Sequence, residues 1–277
     1  MGFAAACGGL LAAAAGGILL VRALWRGDPR SRGRRAATAV AGVALLAGSG
    51  LFLWTGANDP HVGWFGPVTV HGPRDRREVA LTFDDGPDPR WTDEVADILD
   101  RHHAKATFFL VGKAVDAWPE VAERLYDGGH LLGNHSYHHD YWRWLDPRYP
   151  ELERTQHAIE QRVGVCPALF RPPHGQRTPL LLTHVRAAGL RAVTWDVSAE
   201  DWSDTDGARV ARRILDQVRP GSIVLLHDGL DGAGNADRSV LLEALPLILD
   251  GLAARNLTPV RLDALLDVPA YLDIHDC

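Results

Sequence analysis

VALTFDDGP, residues 79–87, sets a strand-forming run against two adjacent carboxylates, Asp84 and Asp85, and follows them at once with Gly86 and Pro87. An apolar run of this length, closed by acids and a turn, reads as a buried β-strand with polar groups at its carboxyl end. Neighbouring side chains of a regular strand point to opposite faces. Both acids can therefore serve one site only if the backbone turns there, and Gly86-Pro87 is expected to supply the turn. On this stretch alone an Asp-Gly turn with two solvated acids fits equally well.

The pattern recurs along the chain. Further strand-length apolar runs are ATFFLV (106–111), ALF (168–170), RAVTW (191–195), SIVLLH (222–227) and TPVRL (258–262). Between them lie amphipathic stretches at 91–103, 119–127, 150–163, 178–188, 206–218 and 239–254, several with Asp or Glu early. Alternation of strand and helix predicts an α/β protein with a mainly parallel sheet, either a barrel or a doubly wound layer. Function in both collects at the carboxyl ends of the strands. No GxSxG elbow is present, and the Gly-rich DGAGNAD (231–237) lacks the GxGxxG spacing of a dinucleotide loop.

The amino-terminal fifth is different in kind. Residues 2–21 and 36–55 carry no charge, and about 20 residues at 1.5 Å each match a hydrocarbon core of about 30 Å. Arg22, Arg26, Arg30, Arg32, Arg34 and Arg35 lie between them, against Asp28 alone. Two spans with a cytoplasmic basic loop predict a transmembrane hairpin, with everything after Thr55 outside and Trp54 and Trp64 at the outer interface. If the first segment does not insert, residues 26–55 act as a signal-anchor or cleaved signal peptide, and the remainder is exported all the same. A net charge of −6 overall and +5 for residues 1–55 leaves −11 outside, a poor match to nucleic acid. Cys166 and Cys277 fall in that exported part, where a disulfide is permitted; with no spacing rule the pairing stays open.

Several strand ends carry groups able to do chemistry. GNHSYHHDYW (133–142) holds His135 and His139 four apart, which on a helical turn puts both imidazoles on one face. With Asp85 from another strand end they make three ligands with an open position, the arrangement a catalytic zinc prefers. His138 falls off that face. FRPPHG (170–175) places Arg171 after a strand, with prolines holding the chain extended and the amide of His174 free to point inward. WDVSAEDW (195–202) supplies Asp196, Asp201 and Trp202, and IVLLHDG (223–229) ends in His227 and Asp228. Tyr141, Trp142 and Trp144 fit sugar-stacking platforms or core aromatics alike.

Taken together, TFDDGP, HSxxH, RPPHG, the DW closing a DxxDW-like segment, and LLHD resemble, in order and rough spacing, the five motifs of the NodB-like polysaccharide deacetylases, carbohydrate esterase family 4. The resemblance covers about residues 68–265. It implies an incomplete, deformed (β/α) barrel, the NodB-homology fold, preceded here by the transmembrane hairpin. The implied division is an anchor at 1–55, a linker at 56–77, the deacetylase domain at 78–268 and a tail at 269–277. The resemblance also implies Asp84 as general base and one divalent cation on Asp85, His135 and His139, Zn2+ first, with Co2+, Ni2+ or Mn2+ as alternatives. Arg171 would tune the base, and Asp201 would orient His227, the general acid. Pro173, His174, Trp202 and Leu225 would bind substrate, His174 through its amide and the last two as walls of an acetyl pocket. Two positions depart from the pattern: His174 stands where the family has Tyr, and Ser198 replaces the leading Asp of DxxDW.

The expected activity is metal-dependent removal of N-acetyl groups from a cell-envelope glycan, peptidoglycan or chitin-like. The domain would sit on the extracytoplasmic side of the cell membrane, held to the bilayer by the hairpin and without nucleic acid. The alternatives are a deacetylase or deformylase of a lipid-linked amino sugar, and an inactive envelope-binding protein.

Overall fold

The computed structural model describes residues 2–25 and 32–277, so Arg26 and Arg30 of the expected basic loop lie outside the described residues. Helices α1 (Gly2–Trp25) and α2 (Arg32–Asn58) come first, and strand β1 (Glu78–Asp84) opens the sheet. There follow α3 (Thr92–Arg101), β2 (Thr107–Leu110), α4 (Gly112–Ala117), α5 (Pro119–Asp127), β3 (Leu131–Asn134) and α6 (Glu151–Val163). The second half holds β4 (Cys166–Pro167), β5 (Leu169–Phe170), α7 (Pro179–Ala187), β6 (Arg191–Ala192), β7 (Val197–Ser198), α8 (Gly207–Gln217) and β8 (Ile223–His227). It closes with α9 (Ser239–Ala254), β9 (Thr258–Pro259), α10 (Leu262–Leu266) and β10 (Tyr271–Leu272).

The main sheet runs β6-β5-β3-β2-β1-β8-β7, with β9 also on β1, and every pairing in it is parallel. It is a curled half-barrel of the (β/α) kind. Alternation along β1 explains its place at the centre. Val79, Leu81 and Phe83 pack into the cluster shared with α3, α8 and α9, while Ala80 joins a second cluster with Phe109, Leu131 and Leu169 inside the curl. Phe83 stacks on Phe108 at 4.9 Å between ring centroids, and full burial of each such side chain contributes roughly 1.5–3 kcal/mol.

The structure refines the sequence expectations at five segments. No strand was expected at 131–134, yet β3 pairs with both β2 and β5. Its Gly133 is a packing requirement, since a Cβ there would lie 2.4 Å from Phe109 Cδ1. The run 258–262 is strand only at Thr258–Pro259 and then begins α10, and 191–195 is strand only at Arg191–Ala192, with Val193 bridging Thr69. Residues 56–77, expected as a linker, are partly built into the domain: Ala57 and Phe65 are buried in a cluster with Leu181, Leu182 and Val185. Residues 269–277, expected as a tail, are fastened to the domain, for β10 pairs antiparallel with β4 and Cys277 is disulfide-bonded to Cys166.

Among the described residues Gly33–Asn58 is long and apolar enough to cross a membrane, whereas the apolar part of the first helix, Cys7–Ala23, is shorter. The two helices pack antiparallel, with Gly16 against Gly42 so closely that a Cβ on Gly16 would lie 2.9 Å from the Gly42 carbonyl oxygen. Small residues allow such backbone approach. The end of α2 is tied to the domain by Arg177, which is fully buried. Its guanidinium donates to the carbonyls of Gly175 at 2.6 Å, Asp59 at 2.5 Å, and Val62. The Arg177 amide donates to the Ala57 carbonyl at 2.9 Å.

Candidate active site

Register brings the strand-end groups to one rim. Asp84 pairs with His227 across β1 and β8, Leu110 with Asn134, and Asn134 with Phe170, so Asp84, His227, His135 and Arg171 emerge side by side. Asp84 faces the inside of the curl, as Thr82 does two residues earlier. Asp85 would face away, but its backbone is left-handed, φ 76°, and this re-aims the carboxylate into the site. The turn is thus made by left-handed Asp85 together with the cis Gly86-Pro87 bond that follows it. Gly86 serves a further need, because a Cβ there would lie 2.3 Å from Asp228 Oδ2.

His135 and His139 do not share a helical face as expected. They lie in a loop after β3 bent by left-handed Ser136 and His139, φ 72° and 57°. Asn134 stabilises the bend by accepting from the Ser136 amide at 3.0 Å and donating to the Leu152 carbonyl at 2.9 Å. The result still joins the two rings, with centroids 4.9 Å apart. His139 Nε2 lies 3.1 Å and His135 Nε2 3.5 Å from Asp85 Oδ1.

That set fits a divalent cation. One donor atom from each of Asp85, His135 and His139 lies within 4.8 Å of the others, and all three residues are buried. Asp85 Oδ1 is a buried acceptor without a hydrogen-bond donor among the described residues. His135 Nδ1 donates to the Arg171 carbonyl at 2.8 Å, which leaves the Nε2 lone pair for a ligand. Burial alone would raise the Asp85 carboxyl, but His139, His135 and His227 hold it well below the usual carboxylate range. Burial would lower His139, but Asp85, Asp231 and Asp84 raise it above the usual imidazole range.

On the other side of Asp84, Arg171 is fully buried and donates through Nη1 to Asp84 Oδ1 at 2.7 Å and to Thr82 Oγ1 at 2.8 Å. Its Nη2 reaches the Thr194 carbonyl at 3.0 Å, and the guanidinium lies 4.2 Å over the Phe109 ring. Asp201 takes His227 twice, from the backbone amide at 2.9 Å and from Nδ1 at 3.0 Å. Burial disfavours charge on His227, but Asp201, with Asp85 and Asp84 behind it, raises it to about 9. Asp84, Asp85, His135, His139 and His227 border a cavity of about 400 Å³ shared with His174, Trp202 and Leu225, and Arg171 and Asp201 stand behind them.

A family model described as polysaccharide deacetylase matches residues 71–193. A chitooligosaccharide deacetylase of Azorhizobium caulinodans is 35% identical over 195 residues, covering 66% of this chain and 91% of that protein. The chain belongs to the polysaccharide deacetylase family. A peptidoglycan-N-acetylglucosamine deacetylase of Bacillus cereus is 34% identical over 158 residues, 56% of this chain and 58% of the relative, so the match spans little more than half of that protein. The solved structure of the Bc1960 peptidoglycan N-acetylglucosamine deacetylase superposes with a TM-score of 0.69 at 29% identity, covering 73% of this chain and 94% of that one.

The remaining strand-end residues take separate places. Asp196 is not in the site: it accepts from Arg74 at 2.7 Å and from the Ile223 amide at 2.8 Å. His138 pairs with the buried Glu151 at 3.0 Å. Trp144 packs with the apolar cluster beside α2, Trp142 is exposed, and Tyr141 stands at the rim, 5.1 Å from the His174 ring. Trp202 meets His227 edge-on at 4.9 Å. His174, left-handed at φ 56° between Pro173 and Gly175, meets the His139 ring edge-on at 4.7 Å, and burial together with His139 and His135 pulls it down to about 4. Sequence reasoning missed Asn134, whose side chain sets the bend before the ligands, and Asp231, whose Oδ1 lies 2.6 Å from His139 Nδ1. The Asp-Gly pair one turn after the β8 strand end was the available signal for the latter.

Proposed function

We propose that the chain is a metal-dependent hydrolase that removes N-acetyl groups from N-acetylhexosamine residues of a cell-envelope glycan. The observation that carries this is the pairing of Asp84 and His227 in register across β1 and β8, beside the buried Asp85, His135 and His139. An amide is a weak electrophile with a poor leaving group. Its hydrolysis needs a base for water, a donor set for the oxyanion and an acid for nitrogen.

Asp85, His135 and His139 would hold the cation, with zinc first on the two-imidazole, one-carboxylate donor set and Co2+, Ni2+ or Mn2+ as alternatives. When bound, such an ion lowers the pKa of water and polarises an acyl oxygen. Asp84, held in place by the hydrogen bond from Arg171, takes the proton of the attacking water. The His174 amide serves the oxyanion. His227, held protonated by Asp201, gives its proton to the leaving amine, and Trp202 and Leu225 wall the space for the acetyl methyl. Anchoring by the α1–α2 hairpin would hold the domain on the extracytoplasmic face of the membrane, and the apolar length of Gly33–Asn58 supports this reading.

Acetate release from peptidoglycan strands and chitooligomers, with metal analysis of the purified protein, tests the assignment. His135→Ala and Asp85→Asn should lose metal and activity together. Asp84→Asn should keep metal and lose turnover by about 10²–10⁴-fold. Full activity in a metal-free His135→Ala protein refutes the scheme. A lipid-linked amino sugar is the second reading, supported by the close seating of the α2 end on the segment after His174. Turnover of lipid-linked sugars, and not of polymer, would favour it.

A further inference from the structure

The stretch DGAGNAD, residues 231–237, has the glycines of a phosphate loop without the spacing, and the chemistry above makes no use of it. Its first residue stands against one of the three candidate ligands. Asp231 Oδ1 lies 2.6 Å from His139 Nδ1, while Nε2 of the same ring faces Asp85 Oδ1 at 3.1 Å. The His139 side chain is 4% exposed and that of Asp231 52%. The present contact is off the N–H axis, and the half-exposed carboxylate is the partner with room to turn into line.

The loop is built to bring Asp231 there. Asp231 and Gly232 are both left-handed, φ 48° and 64°, and the Gly232 amide donates to the Asp85 carbonyl at 3.1 Å. A Cβ on Gly232 would lie 2.8 Å from Val111 Cγ1, and one on Gly234 2.4 Å from Trp118 Cη2. Buried Arg238 donates through Nε to the Gly229 carbonyl at 2.8 Å, and Trp91 Nε1 donates to the Ala236 carbonyl at 2.6 Å. Both flanks of the loop are pinned by these bonds.

We propose that Asp231 is a positioning residue of the metal centre: it accepts the Nδ1 proton of His139 and so fixes Nε2 as the nitrogen presented beside Asp85. The proposal rests on the metal-site reading above. A ligating imidazole needs a partner on its other nitrogen to fix tautomer and orientation. His135 has one in the Arg171 carbonyl, and for His139 the carboxylate of Asp231 fills that place and adds negative charge next to the cation.

The test uses the full-length chain in detergent, stripped of metal. Zinc affinity is measured by competition with a chromophoric chelator, and the visible spectrum is recorded with Co2+. Asp231→Ala should weaken zinc binding about 10–100-fold and shift the Co2+ bands, with the metal-free melting temperature unchanged. Asp231→Asn, whose amide oxygen still accepts, should recover most of the affinity. Asp237→Ala, on the same loop but bonded to Ser239, should bind zinc like the wild type. Wild-type affinity and spectrum in Asp231→Ala overturn the assignment. So does a lowered metal-free melting temperature that Asp231→Asn does not restore, which marks a purely structural role. A His135→Ala chain that loses zinc while Asp231→Ala keeps it would refute only this inference. A wild-type chain with no zinc affinity would refute the metal-site reading as well.

Discussion

Replacing Arg171 by Met removes one partner of a buried ion pair and leaves the other in place. The Arg171 side chain is 0% and the Asp84 side chain 4% exposed, so water cannot take over the lost interactions without opening the site. Three hydrogen bonds disappear: a charge-assisted one to Asp84 at 2.7 Å, one to Thr82 at 2.8 Å and one to the Thr194 carbonyl at 3.0 Å. The first is worth about 1.5–3 kcal/mol and the others about 1 kcal/mol each, for a loss of about 4 kcal/mol, within the range for breaking a buried pair from one side. In a domain of this size that lowers Tm by about 8–16 °C. Arg171→Lys keeps the charge but not the planar fork that spans Asp84 and the Thr194 carbonyl, and should lose about half as much. The assay is urea unfolding of the metal-stripped protein, so that loss of a ligand-bound state does not enter. A change below about 1 kcal/mol for Arg171→Met would show that the guanidinium does not hold Asp84, and the role given to it would fall.

Three further outcomes follow from the same structure. Burial pulls His130 down to about 4 from an unfolded value of 6.5; its neutral form therefore stabilises fully above pH 6.5, and up to about 3 kcal/mol is lost as pH falls from 6.5 to 4. His130→Phe should flatten that limb of the stability profile, and an unchanged slope would rule His130 out as its source. For His227, raised to about 9, the sign reverses: its pairing stabilises the metal-free chain fully below pH 6.5 and is lost as pH rises through 9. Asp201→Asn should remove most of this alkaline loss and lower the imidazole titration seen by NMR. Cys277→Ser opens a crosslink between residues 111 apart in sequence and should cost at most about 4–5 kcal/mol in denaturant unfolding; a loss of nothing measurable would mean that the unfolded chain is already held compact.

The strand-end rule carried much of this site because the groups that emerge along a straight parallel strand are fixed by alternation, and Asp84, Arg171 and His227 sit where that places them. Side chains re-aimed by left-handed backbone were harder. Asp85 reaches the site through φ 76° and His139 through φ 57°, so their convergence was readable as a set of ligand types and not as a geometry. Strand β3 was hidden because its Gly133 is there for the Phe109 ring, a contact about 24 residues away that no local propensity reports. Asp231 had a local signal in its Asp-Gly pair but not a visible partner: His139 is 92 positions earlier, and only the pinned loop joins them.

The Arg177 bonds have a practical consequence for anyone who cuts this chain. A fragment beginning at residue 78, where the first strand starts, would strip the buried guanidinium of the Asp59 and Val62 carbonyls and the Arg177 amide of the Ala57 carbonyl. Burial already pulls Arg177 down to about 10, and the cut would leave its guanidinium with the Gly175 carbonyl as its remaining hydrogen-bond partner among the described residues. The same cut would uncover Leu181, Leu182 and Val185, which Ala57 and Phe65 now cover. The self-sufficient folding unit therefore begins in the last turns of α2, before Phe52, so the end of that apolar helix and the segment after His174 are packed as one piece.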